Sequence, residues 1–163
     1  MAEATQRLDD LGGHGEQTKQ RTLPGDHQLR ELILLADRGA SRFPITLTVS
    51  GLVITGWLAS GREYMAYFAQ QFSSGMSDEG RNELVQEFRE RAERVYPFPR
   101  EDDTPAALMQ AAENITYIHI RDARIISPMG QSLPPVDGSW WRGRLEAIDG
   151  FFYGAMDGRE DGA

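Results

Sequence analysis

Three histidines are the side chains in this sequence best suited to metal binding or proton transfer. His14 and His27 lie in polar surroundings, whereas His119 belongs to a run of β-type residues. Histidine ligands of a metal usually recur at short spacings, and these three residues do not. We therefore expect no histidine metal site. We also expect His119 to be a partly exposed strand residue rather than a general base.

Two carboxylate pairs have the residue types of a general acid and a general base, namely Glu146 with Asp149 and Asp122 with Asp137. The first pair has a simpler explanation, because Asp149 belongs to a turn and Glu146 lies on a charged face beside Arg144. The sequence contains no cysteine, no G-x-S-x-G motif, no P-loop and no H-E-x-x-H motif. We therefore predict that the protein is not an enzyme and binds no cofactor.

Arginine and aromatic side chains are concentrated in two β-type stretches that antiparallel pairing would bring together. The candidate partner surface consists of Trp140, Arg142, Arg144, Arg121 and Tyr117, with Arg124 nearby. Arginine beside aromatic residues can anchor a protein interface or stack against nucleic-acid bases. The alternative is an ordinary charged strand face, neutralised by neighbouring carboxylates.

The overall charge argues against nucleic-acid binding. The formal net charge is −8 at pH 7, whereas a general affinity for nucleic acid or anionic lipid favours a basic surface. A charged strand face and a protein interface both stay open, and they are preferred to nucleic-acid binding. No apolar run approaches the roughly 18 residues needed to span a bilayer, so we expect no contact with membranes.

The last patterned stretch, SWWRGRLEAIDGFFYGAM at residues 139–156, predicts a β-hairpin. Asp149–Gly150 is a dipeptide that tolerates the positive φ angles of a type I′ turn. Before this turn, Trp141 and Leu145 alternate with charged residues, as expected for a strand with one buried face. Trp141 is therefore predicted to belong to the core.

The first half of the chain predicts a helix followed by two strands. Asp26 is a suitable N-cap, and apolar residues at helical spacing follow it until Gly39. The stretch ITLTVSGLVITGWLAS at residues 45–60 then alternates as two strands joined at Ser50–Gly51. Gly56 interrupts the second strand, which indicates a bend or bulge.

Helix starts follow at three positions. Ser60 and Glu63 fit a capping box, Ser77 precedes an acidic first turn, and Thr104 precedes a proline. The stretch ITYIHIRDARII at residues 115–126 returns to the strand pattern, and its isoleucine side, with Ile118, should face the interior.

Together these elements predict an α+β fold. It is either a small, strongly bent five-stranded antiparallel sheet or an Sm-like or SH3-like barrel, with an N-terminal helix and a helical insertion at about residues 61–113 between strands 2 and 3. The glycines at 56 and 143 favour the barrel, because closure requires bends. We expect residues 1–25 to be a flexible polar tail, residues 26–157 a single globular domain, and residues 158–163 an acidic tail.

Three of these stretches resemble the GvpU family of gas vesicle accessory proteins. They are ITLTVSGLVITGWLASGREYMAYFAQQF, YIHIRDARI and WWRGRLEAIDGFFYGAM, and the resemblance covers roughly residues 28 to 157. The most specific part is the last stretch. The residues equivalent to those of the family are Gly51, Gly56, Tyr64, Trp141, Arg142, Gly143, Asp149, Gly150, Phe151, Phe152 and Gly154.

The resemblance implies a cytoplasmic, non-enzymatic protein that is associated with gas vesicles. It implies protein–protein contacts in vesicle assembly, stability or clustering, with other gas vesicle proteins as partners, and self-association is expected. No catalytic residues carry over, because the family has no defined active site. The alternative that the strand order allows is an Sm-like RNA-binding protein, which the acidic composition opposes.

Overall fold

The fold combines four helices with one antiparallel sheet. The computed structural model describes residues 26–39, 42–97 and 103–156. The helices are α1 (His27–Asp37), α2 (Gly61–Phe72), α3 (Asp78–Val95) and α4 (Pro105–Glu113), and the strands are β1 (Phe43–Val49), β2 (Leu52–Ala59), β3 (Tyr117–Ile126), β4 (Ser132–Leu133), β5 (Ser139–Arg144) and β6 (Gly150–Tyr153). The predicted α+β class is confirmed, and three helices lie between β2 and β3 as expected.

The sheet is open. Its order is β4-β3-β2-β1-β6, and β5 pairs with β3 beside β4. Of the two predicted architectures, an antiparallel sheet is therefore observed, and the described strands do not close into a barrel. The sheet has six strands rather than five, because the two-residue β4 pairs with the end of β3.

The predicted hairpin at Asp149–Gly150 is wrong. β5 pairs with β3 and β6 pairs with β1, so the two strands before and after this dipeptide are not partners. A short 3-10 turn, Leu145–Ala147, separates them. Leu145 is buried, and its N–H donates to the carbonyl of Thr116, which directs the chain into the core instead of back along β5. Pairing with distant strands has thus overridden a strong local turn signal.

The predicted hairpin between β1 and β2 is confirmed. Ser50 and Gly51 have φ angles of 49° and 80°, as the two central residues of a type I′ turn require. The register pairs Val49 with Leu52 and continues to Phe43 opposite Leu58. This hairpin forms the centre of the sheet.

The hydrophobic core lies between α1 and one face of the sheet, called here the first face. Its buried residues are Leu29, Leu32, Ile33, Ala36, Ile45, Leu47, Ile54, Leu58, Ile118, Ile120, Ala123 and Leu145. Ile118 therefore faces the interior as predicted, and Trp141 packs against the edge of this core. The buried Arg30 of α1 donates to the carbonyls of Ala112 and Ile115, so its cation caps the C-terminal end of α4.

The helix starts follow the sequence signals closely. The side chains of Asp26, Ser77 and Thr104 accept hydrogen bonds from the first turns of α1, α3 and α4, and Ser60 with Glu63 forms the predicted capping box of α2. Within the ranges given above, no helix combines the length and apolar character needed to cross a bilayer.

A bulge in β3 shapes the middle of the sheet. Asp122 has a φ of 49°, and the register of β3 shifts there against both β2 and β5. Gly56 lies opposite, where a Cβ atom would approach Ile120 Cγ2 to 2.6 Å and the Arg121 carbonyl oxygen to 2.8 Å. The irregularity predicted at Gly56 is confirmed, although the extra residue belongs to β3. Gly138 permits the other close approach to Asp122.

Candidate interaction site

The candidate site lies on the second face of the sheet, opposite α1. Pairing of β3 with β5 places Tyr117 opposite Arg144 and His119 opposite Arg142. These side chains alternate with Ile118 and therefore point away from the hydrophobic core. Helix α2 packs over the same face of β3. We call the set Tyr117, His119, Trp140, Arg142 and Arg144 the arginine–aromatic cluster.

Arg142 is the centre of this cluster. Its guanidinium carbon lies 3.5 Å from the centroid of the Tyr117 ring, which is a close cation–π contact. Its charge also acts on the hydroxyl of Tyr96, the residue that follows α3. The residue as a whole remains exposed. Arg142 thus joins two strands and α3 while still presenting part of its cation to solvent.

Trp140 attaches the cluster to α2. Its ring stacks on Tyr67, with centroids 5.1 Å apart and planes 21° from parallel, and it meets Tyr64 edge-on at 6.1 Å. Such pairs stabilise by about 0.5–1.5 kcal/mol beyond the area they bury. Trp140 is only half-buried, so part of its ring remains available for contact.

His119 is buried, not partly exposed as predicted from the sequence. Only 2% of its surface is accessible, because Tyr64 and Tyr96 cover it with ring centroids 4.8 and 5.4 Å away. Burial lowers the pKa of His119 to about 3, and the nearby charge of Arg142 acts in the same direction. His119 is therefore neutral near pH 7 and is shielded from solvent.

Tyr96 and His119 share one hydrogen bond. The hydroxyl of Tyr96 lies 3.3 Å from Nε2 of His119, and a hydroxyl donates to an imidazole nitrogen that carries no proton. Burial raises the pKa of Tyr96, which keeps the hydroxyl proton in place. The contact satisfies the hydroxyl of Tyr96 and Nε2 of His119.

The remaining members of the predicted surface are less closely connected. Arg144 is exposed and pairs with Glu146 at 3.2 Å. Arg121 lies on the same face as His119 but opposite Trp57 of β2, on the far side of β3 from β5. Arg124 lies beyond the bulge and donates to the carbonyl of Val136. The structure thus brings together Tyr117, Trp140, Arg142 and Arg144, and places Arg121 in a neighbouring region with Arg124.

Several residues considered for acid–base or metal chemistry make other contacts. The carboxylate of Asp149 accepts from the N–H of Ser50, and His27 pairs with Glu31 on the exposed side of α1. His14 lies outside the described residues. Among those that are described, no group of three or more histidine, cysteine, aspartate or glutamate side chains is placed to hold a metal ion.

Helix α2 adds four aromatic residues that are not members of the predicted partner surface, namely Tyr64, Tyr67, Phe68 and Phe72. Their contacts with Trp140, His119 and Phe88 of α3 appear only in three dimensions. The usable signal was aromatic content, because α2 has four aromatic residues within nine positions.

A protein-family model matches most of the chain. The family model described as gas vesicle protein GvpU-like matches residues 26–156. No curated protein and no solved structure matches the chain. The match includes every helix and strand described above, and the chain therefore belongs to the GvpU-like family of gas vesicle proteins.

Proposed function

We propose that this protein is a gas vesicle accessory protein that acts through protein–protein contacts in vesicle assembly, stability or clustering. Its membership of the GvpU-like family supports the gas vesicle context. Its proposed location is the cytoplasm, in association with vesicles, and its proposed partners are gas vesicle proteins, including further copies of itself. We propose no catalytic activity, because His119 is buried and the carboxylates of Glu146 and Asp149 have partners in Arg144 and Ser50.

One observation carries this proposal: a continuous series of aromatic rings runs from the sheet to the end of α2. Trp140 contacts Tyr64 at 6.1 Å, Tyr64 contacts Phe68 at 6.3 Å, and Phe68 contacts both Phe72 and Phe88 at 5.7 and 5.6 Å. We call these five rings the aromatic ridge. A series of neighbouring rings that reaches the surface is more typical of an interface than of a monomeric surface.

The ridge becomes more exposed along its length. Trp140 and Tyr64 are half-buried, whereas Phe72 is 63% exposed and the adjacent Met76 is also exposed. Arg142 and Arg144 border the buried end. Tryptophan, tyrosine, phenylalanine, methionine and arginine are the residues enriched at protein interfaces. The ridge and the arginine–aromatic cluster therefore form one candidate partner surface.

The proposal is tested by binding of the purified protein to isolated gas vesicles. We expect Phe72→Glu to weaken binding about tenfold or more, because an interface aromatic residue commonly contributes over 1 kcal/mol. Met129→Glu introduces the same charge at another exposed apolar residue, in the loop between β3 and β4, and should bind like the wild type. Circular dichroism should show that both variants keep their helices.

Size-exclusion chromatography with light scattering tests self-association with the same three proteins. We expect the wild type and Met129→Glu to form oligomers, and Phe72→Glu to shift towards the monomer. A wild-type protein that stays monomeric and does not bind vesicles would overturn the proposal. Equal binding by Phe72→Glu would overturn the assignment of the surface.

A further inference from the structure

The chain crosses the second face of the sheet after β6. The hydroxyl of Thr46 on β1 donates to the carbonyl of Gly154 at 2.8 Å, and the N–H of Met156 donates to the hydroxyl of Thr55 on β2 at 2.7 Å. Gly154, with a φ of 112°, permits the change of direction. The path runs from β6 over β1 to β2, and so points towards β3.

A shallow cavity lies where this path reaches β2. It is bordered by Thr55, Trp57, Arg124 and Met156, and Arg121 lies directly across from Trp57. We call this region the arginine groove. It lies on the β2 side of β3, whereas the arginine–aromatic cluster lies on the β5 side.

The two arginines of the groove have unused donors. The Nε atoms of Arg121 and Arg124 are buried, and neither has a hydrogen-bond partner among the described residues. Arg124 uses one terminal nitrogen for the carbonyl of Val136. Asp122 lies in the cavity wall, but no ion pair joins it to either arginine in the described part of the chain. Both arginines are half-buried residues, and a carboxylate in the groove is the best complement for the part of each guanidinium that remains accessible.

The residues that follow Met156 have the complementary charge. Asp157, Glu160 and Asp161 supply three carboxylates against the single cation of Arg159. Asp157 comes directly after the residue held at Thr55, and β3 lies about 4.8 Å beyond β2. An extended chain advances about 3.3 Å per residue, so five residues are enough to cross both arginines.

We propose that residues 157–161 bind in the arginine groove as an acidic segment of the same chain, with their carboxylates on Arg121 and Arg124. Tethering at Met156 supports this occupant over a separate acidic peptide, because a short link gives an effective concentration of about millimolar. The proposal does not depend on the proposed function, since it uses neither the aromatic ridge nor any vesicle protein.

The test is paramagnetic relaxation enhancement in the full-length chain. The sequence has no cysteine, so Gly162→Cys allows a nitroxide to be attached at one position only. We expect the amide signals of Arg121 and Arg124 and the indole N–H signal of Trp57 to lose most of their intensity. The amide signal of Leu32, on the opposite side of the sheet in α1, should keep its intensity.

Four comparisons show whether charge holds the segment. The combined substitutions Asp157→Asn, Glu160→Gln and Asp161→Asn should restore the lost signals, as should about 1 M salt, which screens exposed charges. Glu146→Gln, which removes a carboxylate outside the groove, should leave the broadening unchanged. The double variant Arg121→Gln, Arg124→Gln should also restore the Trp57 signal. Its circular dichroism spectrum should match that of the wild type.

Two results of the labelling experiment would overturn the proposal. One is an absence of selective broadening at the groove in the labelled wild-type chain. The other is broadening that survives neutralisation of the three carboxylates. Inorganic phosphate added to the unlabelled wild type should shift the Arg124 signals only weakly, and stronger shifts in the triple variant are expected. Equal shifts in both would identify an open anion site instead.

Discussion

The hydroxyl of Tyr96 lies 3.3 Å from Nε2 of His119, and this contact connects the end of α3 to the middle of β3. The Tyr96 ring also lies over Gly61 at the start of α2, where a Cβ atom would approach it to 2.3 Å. One side chain therefore holds both long helices against the second face of the sheet.

Removal of the Tyr96 hydroxyl should destabilise the fold. Tyr96→Phe keeps the ring but leaves the buried Nε2 of His119 without its hydrogen-bond partner, so we expect the free energy of unfolding to fall by about 1–2 kcal/mol. Urea unfolding followed by circular dichroism measures this. Tyr153→Phe, at a tyrosine that is mostly exposed, is the matched control and should change stability little. Equal effects would contradict the assigned role of Tyr96.

His119 should make the protein less stable in acid. Its pKa is lowered from 6.5 to about 3 by burial and by Arg142, so the unfolded chain binds this proton more readily than the folded protein. Stability from this group is complete above pH 6.5 and is lost as the pH falls towards 3, by up to about 1.4 kcal/mol per pH unit. In urea unfolding from pH 7 to 4.5, His119→Gln should gain stability relative to the wild type as the pH falls. His27→Gln, at an exposed histidine, should show no such gain in stability.

Asp37 should make the protein less stable as the pH rises, which is the opposite of the effect of His119. Burial raises its pKa from 3.8 to about 6, although its carboxylate accepts from the N–H of Gly61 and lies near the cation of Arg62. The folded protein thus binds this proton more readily than the unfolded chain, and stability from Asp37 is lost as the pH rises from about 4 to 6.

The variant for this group is Asp37→Asn, which keeps the acceptor oxygen for Gly61. It should gain stability relative to the wild type as the pH rises from 4 to 6, the reverse of the His119→Gln trend. Glu31→Gln, at an exposed carboxylate of the same helix, is the control. A flat difference between Asp37→Asn and wild type across this range would show that burial does not raise the pKa of Asp37.

Gly138 should not tolerate a side chain. A Cβ atom there would lie 2.2 to 2.4 Å from backbone atoms of Asp122, at the bulge of β3. The backbone must move to relieve this overlap, so we expect Gly138→Ala to lower the free energy of unfolding by about 1–3 kcal/mol. Gly75→Ala, between α2 and α3, meets no atom within 4 Å and should be close to neutral. A neutral Gly138→Ala would contradict the close approach at the bulge.

Local signals predicted the helices and one turn well. The caps at Asp26, Ser60, Ser77 and Thr104 depend on hydrogen bonds within four residues, so the sequence contains all the information they need. The Ser50–Gly51 turn is equally local, and its strands pair with each other.

The same reasoning was wrong at Asp149–Gly150. This dipeptide is as suitable for a turn as Ser50–Gly51, but β6 pairs with β1, about 100 positions earlier, and β5 pairs with β3. The carboxylate of Asp149 is used for the N–H of Ser50. Strand partners are chosen by the whole sheet, and a local pattern does not contain that choice.

The sequence by itself determined the family, the α+β class, the helix boundaries near their caps and the apolar stripe of α1, because each depends on residue order or short-range bonds. Only the tertiary structure decided that the sheet stays open, that His119 is buried and that Trp140 continues the aromatic side of α2. The physical reason is that the burial and partners of these side chains depend on which face of the sheet each helix covers. That arrangement is set by packing between segments distant in the chain.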